Sequence, residues 1–290
     1  MDVWTIKSIL SWTDTYFSQQ SIDSPRLTAE ILLAQALGLR RLDLYLQHDR
    51  PLEKQELAAF KLLIRRRIAR EPVAYITGYK GFFKDRFRVA PGVLIPRPDT
   101  EILVETAVGI LLGIKQSGRQ ARVVELGVGS GAVIVSIANA CDGHLYFGSD
   151  LSCDALGVAR LNVDEFAQTR VALFRGNWLE AVAPRPLFDL ILSNPPYIPS
   201  ADIERLAPEI RDHEPRQALD GGGDGLDAVR VILAQAGDRL LPSGRLILEI
   251  GFDQRPMVKS VAEGFSWVAE LDFIKDLAGH HRLAVFKKIN

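Results

Sequence analysis

The sequence predicts an α/β protein, a mostly parallel sheet with an antiparallel last strand, preceded by a small helical domain. Three observations predict it. Beyond residue 100, strand-like apolar runs alternate with segments of helical periodicity, the mark of a parallel sheet with helices on both faces. Before residue 79, apolar residues recur at helical spacing. Near the end of the chain two strand-like runs follow one another with no room for a crossover helix, so they pair antiparallel at the sheet edge.

In chain order, Ser24-Pro25 reads as an N-cap with proline in the first turn. Leu27, Ile31 and Ala34 keep the helical spacing and Gly38 stops it. Arg50-Pro51 restarts the pattern, Leu57, Phe60, Ile64 and Ile68 form an apolar stripe, and Glu71-Pro72 ends it. Residues 1–78 therefore form the helical domain. In 79–98, Phe82, Phe83, Phe87 and Val89 stand among Gly81, Pro91, Gly92, Pro96 and Pro98, the composition of a β-hairpin and linker. The sheet domain occupies 99–290. Its strands fall at 122–126, 145–149, 171–175, 188–193, 245–250, 268–273 and 283–287, and its helices at 132–140, 154–166 and 227–240.

Bulk properties narrow the function classes. With 290 residues the chain fits two unequal domains or one large α/β unit, and 47% hydrophobic residues supply a core. Lys plus Arg is 35 against 36 for Asp plus Glu, a net charge of −1, which does not suggest a grip on nucleic-acid phosphates. The two cysteines, Cys141 and Cys153, read as free thiols in a reducing compartment, and no metal site is expected. Met1-Asp2-Val3-Trp4 is not a basic start followed by an apolar run, and the apolar stretch at 108–114 is too short to span a bilayer. A soluble, cytoplasmic protein is expected.

Two motifs carry chemistry. The first strand of the sheet runs into Glu125-Leu126-Gly127-Val128-Gly129-Ser130-Gly131-Ala132. Glycines before a helix let the backbone approach a ligand, and in open α/β sheets ligands lie at the carboxyl ends of the strands. The second strand ends in Asp150, whose carboxylate can accept from both hydroxyls of a ribose. These features alone do not choose a ligand: Gly127, Gly129 and Ala132 also satisfy the dinucleotide fingerprint, and a glycine turn can serve tight strand–helix packing alone.

The second motif is Asn194-Pro195-Pro196-Tyr197, directly after the strand at 188–193. By composition it could be a proline-rich turn that merely ends a strand. It also matches what methylation of a planar nitrogen demands. An amide nitrogen is a poor nucleophile because its lone pair is conjugated with the carbonyl, and two acceptors facing its N–H groups fix its plane and enrich it in electrons. The Asn194 side-chain oxygen is one acceptor. The Pro195 carbonyl, beside a ring with locked φ, is the other. Tyr197 offers an aromatic face for stacking. No general base is evident. A dinucleotide dehydrogenase has no use for such a turn. Between the motifs lies Gly176-Asn177-Trp178, where Asn177 can bond an adenine edge and Trp178 pack beside it, or where the two are simply a turn and a core residue.

The sequence resembles the peptide chain release factor N5-glutamine methyltransferases, the HemK/PrmC family, over nearly its whole length. The resemblance rests on Glu71-Pro72-Val73-Ala74-Tyr75-Ile76-Thr77-Gly78, Leu94-Ile95-Pro96-Arg97-Pro98-Asp99-Thr100-Glu101, the glycine loop, Asn194-Pro195-Pro196-Tyr197, the stretch from Glu214-Pro215 through Gly221-Gly222-Gly223-Asp224-Gly225-Leu226, and 276–282. The Asn-Pro-Pro-Tyr turn is shared with DNA adenine methyltransferases; the helical leader and the 94–101 stretch are more discriminating. The resemblance implies a Rossmann-like class I methyltransferase sheet. S-adenosylmethionine would be held by Gly127, Val128, Gly129, Ser130, Gly131, Asp150, Asn177, Trp178 and Asn194. The substrate, the glutamine of a Gly-Gly-Gln loop in release factors, would be clasped by Asn194, Pro195, Pro196 and Tyr197, with Asn194, Pro195 and Tyr197 catalytic and the helical domain docking the release factor. The family often carries Asp and Thr where this chain has Glu125 and Val128, replacements that keep the cradle's shape. A monomer without a nucleic-acid or membrane partner is expected. The competing functions are an adenine N6-methyltransferase on nucleic acid, which must flip a base, and a protein that binds the cofactor without transferring its methyl group.

Three features stay open. Arg97 either pairs with Glu101 to brace the hairpin, the favoured reading, or reaches a cofactor carboxylate. Arg65, Arg66, Arg67 and Arg70 are read as a solvated helix face, with partner docking the sharper alternative. Residues 221–225 are read as a flexible loop that could close over substrate.

Overall fold

The computed structural model describes residues 3–167 and 171–289; Met1 and Asp2, half of the start read above for a leader, lie outside it, as do 168–170 and 290. The chain divides into two units, 1–78 with 208–213, and 79–207 with 214–290.

The first unit contains helices Ile6–Gln19, Pro25–Leu37, Arg41–Leu46, Lys54–Ile68 and Val73–Thr77. Helix Pro25–Leu37 begins on its proline and is stopped by Gly38 at φ 63°. Phe17, Leu32, Leu33 and Phe60 are buried in the core between the helices, each contributing roughly 1.5–3 kcal/mol. The basic run is a solvated face only in part: Arg65 and Arg66 are exposed, and Arg67 is not. Arg67 is only 4% exposed and pairs with Glu209 at 2.8 Å. Arg66 pairs with Glu71 at 2.6 Å, and Arg70 donates to the carbonyls of Gln20 and Ser21. Three of these arginines are thus used to hold the unit together, and Glu209 brings the short helix Pro208–Arg211 into it.

In the second unit, β1 (Tyr79–Phe82) and β2 (Asp85–Arg88) form an antiparallel hairpin. The sheet follows with β3 (Arg122–Leu126), β4 (Leu145–Asp150), β5 (Val171–Arg175), β6 (Phe188–Ser193), β7 (Leu240–Glu249), β8 (Val268–Lys275) and β9 (His281–Lys288). Among the described residues its order is β5-β4-β3-β6-β7-β9-β8. Neighbours from β5 to β7 are parallel, while β9 runs antiparallel to both β7 and β8. The class is the one the sequence predicts, with β9 inside the sheet and β8 at its edge. All six residues of β6 are buried, which is why it reads as a nearly continuous apolar run.

Local differences have local causes. β7 begins at Leu240, five residues before the predicted start. Pro242, Ser243 and Gly244 look like a turn but lie in a strand whose register against β6 shifts between Phe188 and Leu190. Helix Glu101–Gln116 shows in the sequence only as an apolar stretch, and helix Arg255–Ala262 was not read at all, its buried residues being just Val258 and Ala262.

One buried side chain fixes the hairpin to the sheet. Asn162, fully buried on helix Cys153–Phe166, accepts from the Arg88 amide at 2.8 Å and donates to the carbonyls of Arg88 (3.0 Å) and Ser130 (2.7 Å). The arm leading to 92–100 is thereby anchored to the glycine loop. Replacing Asn162 by Ala would orphan these backbone groups at a cost of roughly 2–3 kcal/mol. A melting temperature lower by roughly 4–12 °C is expected, read by differential scanning calorimetry.

Candidate active site

β3 is flanked by β4 on one side and β6 on the other, because the chain builds outward to β5 and then returns. Such a reversal leaves a crevice at the carboxyl ends of the two central strands. Here those ends are tied directly: Ser193 Oγ donates to the Leu126 carbonyl at 2.8 Å. A cleft of about 580 Å³ opens above them, the size of a small-molecule site. Gly127, Val128, Gly129, Ser130, Asp150, Asn177, Trp178, Asn194 and Pro196 all line it. Gly131, Pro195 and Tyr197 do not.

Gly131 has a packing role. At φ 80° it precedes helix Ala132–Ala140, and a Cβ there would meet Ala159 at 3.4 Å. Having no side chain, it cannot cap that helix. Glu125 does so from β3, its Oε2 accepting the Ile134 amide at 2.9 Å. Burial pushes the Glu125 carboxyl well above the usual carboxylate range, against the pull of that amide and with the help of Asp150. Asp150 shapes the loop it faces: one oxygen accepts from the Gly129 amide and the other from the Ser152 amide, each at 2.9 Å. Each oxygen keeps a lone pair beyond these bonds, which fits the pair of ribose hydroxyls of a nucleoside. Trp178 sits in the left-handed region at φ 52° beside Gly127. Asn177 is exposed and spends its amide on Glu180 at 2.8 Å, so its carbonyl end is the one left to a ligand.

On the facing wall, Asn194 Nδ2 donates to the Thr100 hydroxyl at 3.1 Å. One of its two N–H groups is thus engaged, and Oδ1, an acceptor, meets no hydrogen-bond partner among the described residues. Pro195 is buried, and no donor among the described residues is hydrogen-bonded to its carbonyl. Tyr197 is drawn the other way: its hydroxyl reaches Glu249 Oε1 at 3.4 Å, long for such a bond. Burial, then Glu249, raises the phenol above its ordinary range. Glu249 itself is 1% exposed at the end of β7. Burial pushes its carboxyl up to about 7, with Asp99 acting the same way and the Thr100 hydroxyl, Arg282 and Tyr197 opposing.

Arg97 lines the cleft, and its partner is Glu214 rather than Glu101. Buried Glu214 also accepts the Ile95 amide at 3.1 Å, while Glu101 accepts the Phe83 amide. Thr100, Glu214 and Glu249 were given no role from the sequence. Thr100 and Glu214 stand in the stretches that carry the family resemblance, whereas Glu249 ends an apolar strand and nothing local marks it. The 221–225 segment does not line the cleft but is tied down at both ends. Gln254 Nε2 donates to the carbonyls of Tyr197 (2.8 Å) and Gly225 (3.2 Å), and Asp220 accepts from the Ser200 hydroxyl at 2.6 Å and the Gly222 amide at 3.0 Å.

Fold and cleft define an S-adenosylmethionine-dependent methyltransferase. Residues 8–78 match the PrmC N-terminal domain family and residues 103–226 the methyltransferase small domain family. The chain is 43% identical over 257 residues to the release factor glutamine methyltransferase of Geobacter sulfurreducens, covering 89% of this chain and 88% of that one. To that of Rhodopirellula baltica it is 37% identical over 286 residues, covering 98% and 97%. The chain belongs to the release factor glutamine methyltransferase family. Among solved structures, a Thermus thermophilus 16S rRNA N2 methyltransferase in complex with AdoMet and guanosine shares the fold, with a TM-score of 0.50 at 17% identity over 72% of this chain and 49% of that one. Among the described residues, no helix is long and apolar enough to cross a membrane.

The tied segment makes a residue-resolved prediction. A Cβ on Gly225, at φ 77°, would stand 2.4 Å from the Tyr197 carbonyl, whereas one on Gly223 meets nothing within 4 Å. Gly225→Ala should therefore cost at least about 2 kcal/mol in thermal stability and weaken cofactor binding. Gly223→Ala should match the parent in both, as melting curves and titration calorimetry would show.

Proposed function

We propose that the chain transfers a methyl group from S-adenosylmethionine to the side-chain amide nitrogen of the glutamine in the Gly-Gly-Gln loop of peptide chain release factors. When bound, S-adenosylmethionine supplies a methyl group on a positively charged sulfur, already activated for attack. Gly127, Val128, Gly129 and Ser130 would carry its polar portion, Asp150 its ribose, and Asn177 with Trp178 its base. The observation that carries the reading is the tethered Asn194 side chain, whose acceptor end is left to the cleft.

An NH2 group entering the cleft would donate one N–H to Asn194 Oδ1 and the other to the Pro195 carbonyl. Both acceptors are fixed before substrate arrives, one by Thr100 and one by the proline ring, so little reorganisation opposes binding. Pro196 would wall the acceptor pocket, and Tyr197 would hold the turn from behind. In this reading residues 1–78 dock the release factor, 79–98 form the linker and 99–290 the methyltransferase domain. The enzyme acts as a monomer in the cytoplasm, on protein rather than nucleic acid.

Mass analysis of a release factor after incubation with the purified chain and cofactor tests the substrate. The glutamine of the Gly-Gly-Gln peptide should gain one methyl group, while adenine-containing DNA and RNA gain none; methylated nucleic acid with unmodified protein would replace this reading by the adenine one. Asn194→Ala should lower turnover roughly 100-fold or more. Asp150→Ala should weaken cofactor binding roughly 10- to 100-fold, read by calorimetry.

A further inference from the structure

The charges around the cleft are unequal. Five carboxyl side chains line it, those of Glu125, Asp150, Asp154, Asp220 and Asp227, and Arg97 is the one cationic side chain among the described residues that does. A guanidinium carries five N–H donors in a fixed, planar fork. The pair with Glu214 engages Nη2 of Arg97, and no other nitrogen of that side chain meets an acceptor among the described residues. The Arg97 side chain is 32% exposed, whereas that of Glu214 is 1% exposed.

Glu214 fixes the group with which it pairs. Its other oxygen accepts the Ile95 amide at 3.1 Å, so the carboxylate cannot swing without stranding a buried donor. The guanidinium is therefore oriented before any ligand arrives, and its unpaired N–H groups are available in the cleft that the residue lines. A single turn of chain sets its place there. The Thr100 amide donates to the Arg97 carbonyl at 3.1 Å, and the Thr100 hydroxyl accepts from Asn194. Arg97 thus belongs to the Asn194 end of the cleft.

An anion taken out of water beside five carboxyls is unfavourable unless a cation pairs with it. S-adenosylmethionine carries a positive sulfur, a positive ammonium and one carboxylate, and the acceptor amide is neutral. The single anion of the reacting pair has a single cation to meet. A carboxylate also matches the guanidinium fork in shape, taking two parallel hydrogen bonds from one edge. With the methyl group turned to Asn194, the amino-acid chain, another substituent of the same sulfur, starts at the end of the cleft where Arg97 stands.

We propose that Arg97 is a cofactor-binding residue whose free guanidinium edge takes the carboxylate of S-adenosylmethionine, and that Glu214 positions it. The inference rests on the reading that the cofactor enters this cleft with its methyl group toward Asn194. An Arg97 present only to neutralise Glu214 would treat cofactor analogues alike, and the two roles separate on that point.

Titration calorimetry on the full chain compares S-adenosylmethionine with its decarboxylated analogue, in which hydrogen replaces the carboxylate while the ammonium and the positive sulfur remain. Leaving out the release factor excludes its acidic side chains as the anion. Arg97→Met should weaken binding of S-adenosylmethionine roughly 10- to 100-fold and that of the analogue by less than about threefold. The double variant Arg97→Met with Glu214→Gln leaves no unpaired buried carboxylate and should show the same selective loss. Parental affinity of Arg97→Met for S-adenosylmethionine would overturn the proposal, as would an equal loss for both ligands or recovery of parental affinity in the double variant. Should Arg97→Met fail to fold, the double variant decides alone. A parent that binds no S-adenosylmethionine would instead remove the underlying reading, whereas a parent that binds it, beside variants whose losses do not depend on the carboxylate, removes this inference only.

Discussion

The structure turns on the side-by-side parallel pairing of β3 and β6. Leu126 and Ser193 are in register, and the Ser193 hydroxyl closes the pair by bonding the Leu126 carbonyl. The next residues on the two strands are Gly127 and Asn194. The glycine loop and the Asn-Pro-Pro-Tyr turn, far apart in sequence, therefore start from adjacent strand ends. A slip of one residue would carry β6's side chains to the opposite faces of the sheet. The complete burial of β6 makes that slip expensive, so the precision of the site derives from the hydrophobic register of the core.

Around that pair, polar side chains do what backbone regularity cannot. Asn162 fastens the hairpin arm to the glycine loop, Glu214 holds Arg97 and the Ile95 amide, and Gln254 pins the backbone at Tyr197 and Gly225. Each is buried and each bridges segments remote in sequence. Buried polar groups satisfied in this way resist rearrangement, because any shift strands a donor or acceptor away from water. The cleft is thus preorganised by hydrogen bonds whose main effect is to exclude alternative loop positions.

How legible this was in the sequence follows from range. β5 and β6 were read to the residue because each is a short, mostly apolar run, a purely local pattern. The glycine loop and the Asn-Pro-Pro-Tyr turn were legible for the same reason. The packing role of Gly131 was not legible, because a glycine that clears Ala159 looks the same in sequence as one that clears a ligand. Arg67 was misread as part of a solvated face because Glu209, its partner, lies 142 residues away. Arg97 was paired with Glu101 by proximity in the chain, whereas its partner comes 117 residues later. Glu249 was invisible for a further reason: its significance lies in what surrounds it, and those neighbours come from three elements that only the fold brings together.

The residue type at 194 can be understood from the same neighbourhood. An aspartate would offer two strong acceptors to an incoming NH2 group, and on that ground alone it would hold an amide more tightly. It would also add a third carboxyl to Glu249 and Asp99, whose proximity already helps to raise the carboxyl at 249. The Thr100 oxygen, which now accepts from the carboxamide nitrogen, would face an acceptor instead. A carboxamide avoids this conflict. Its nitrogen donates to the Thr100 oxygen, and in the proposed reading its oxygen is the acceptor left to the substrate, with no net charge added beside the cleft. The asymmetry of the asparagine side chain, with one end for the protein and one for the ligand, is the property the site uses.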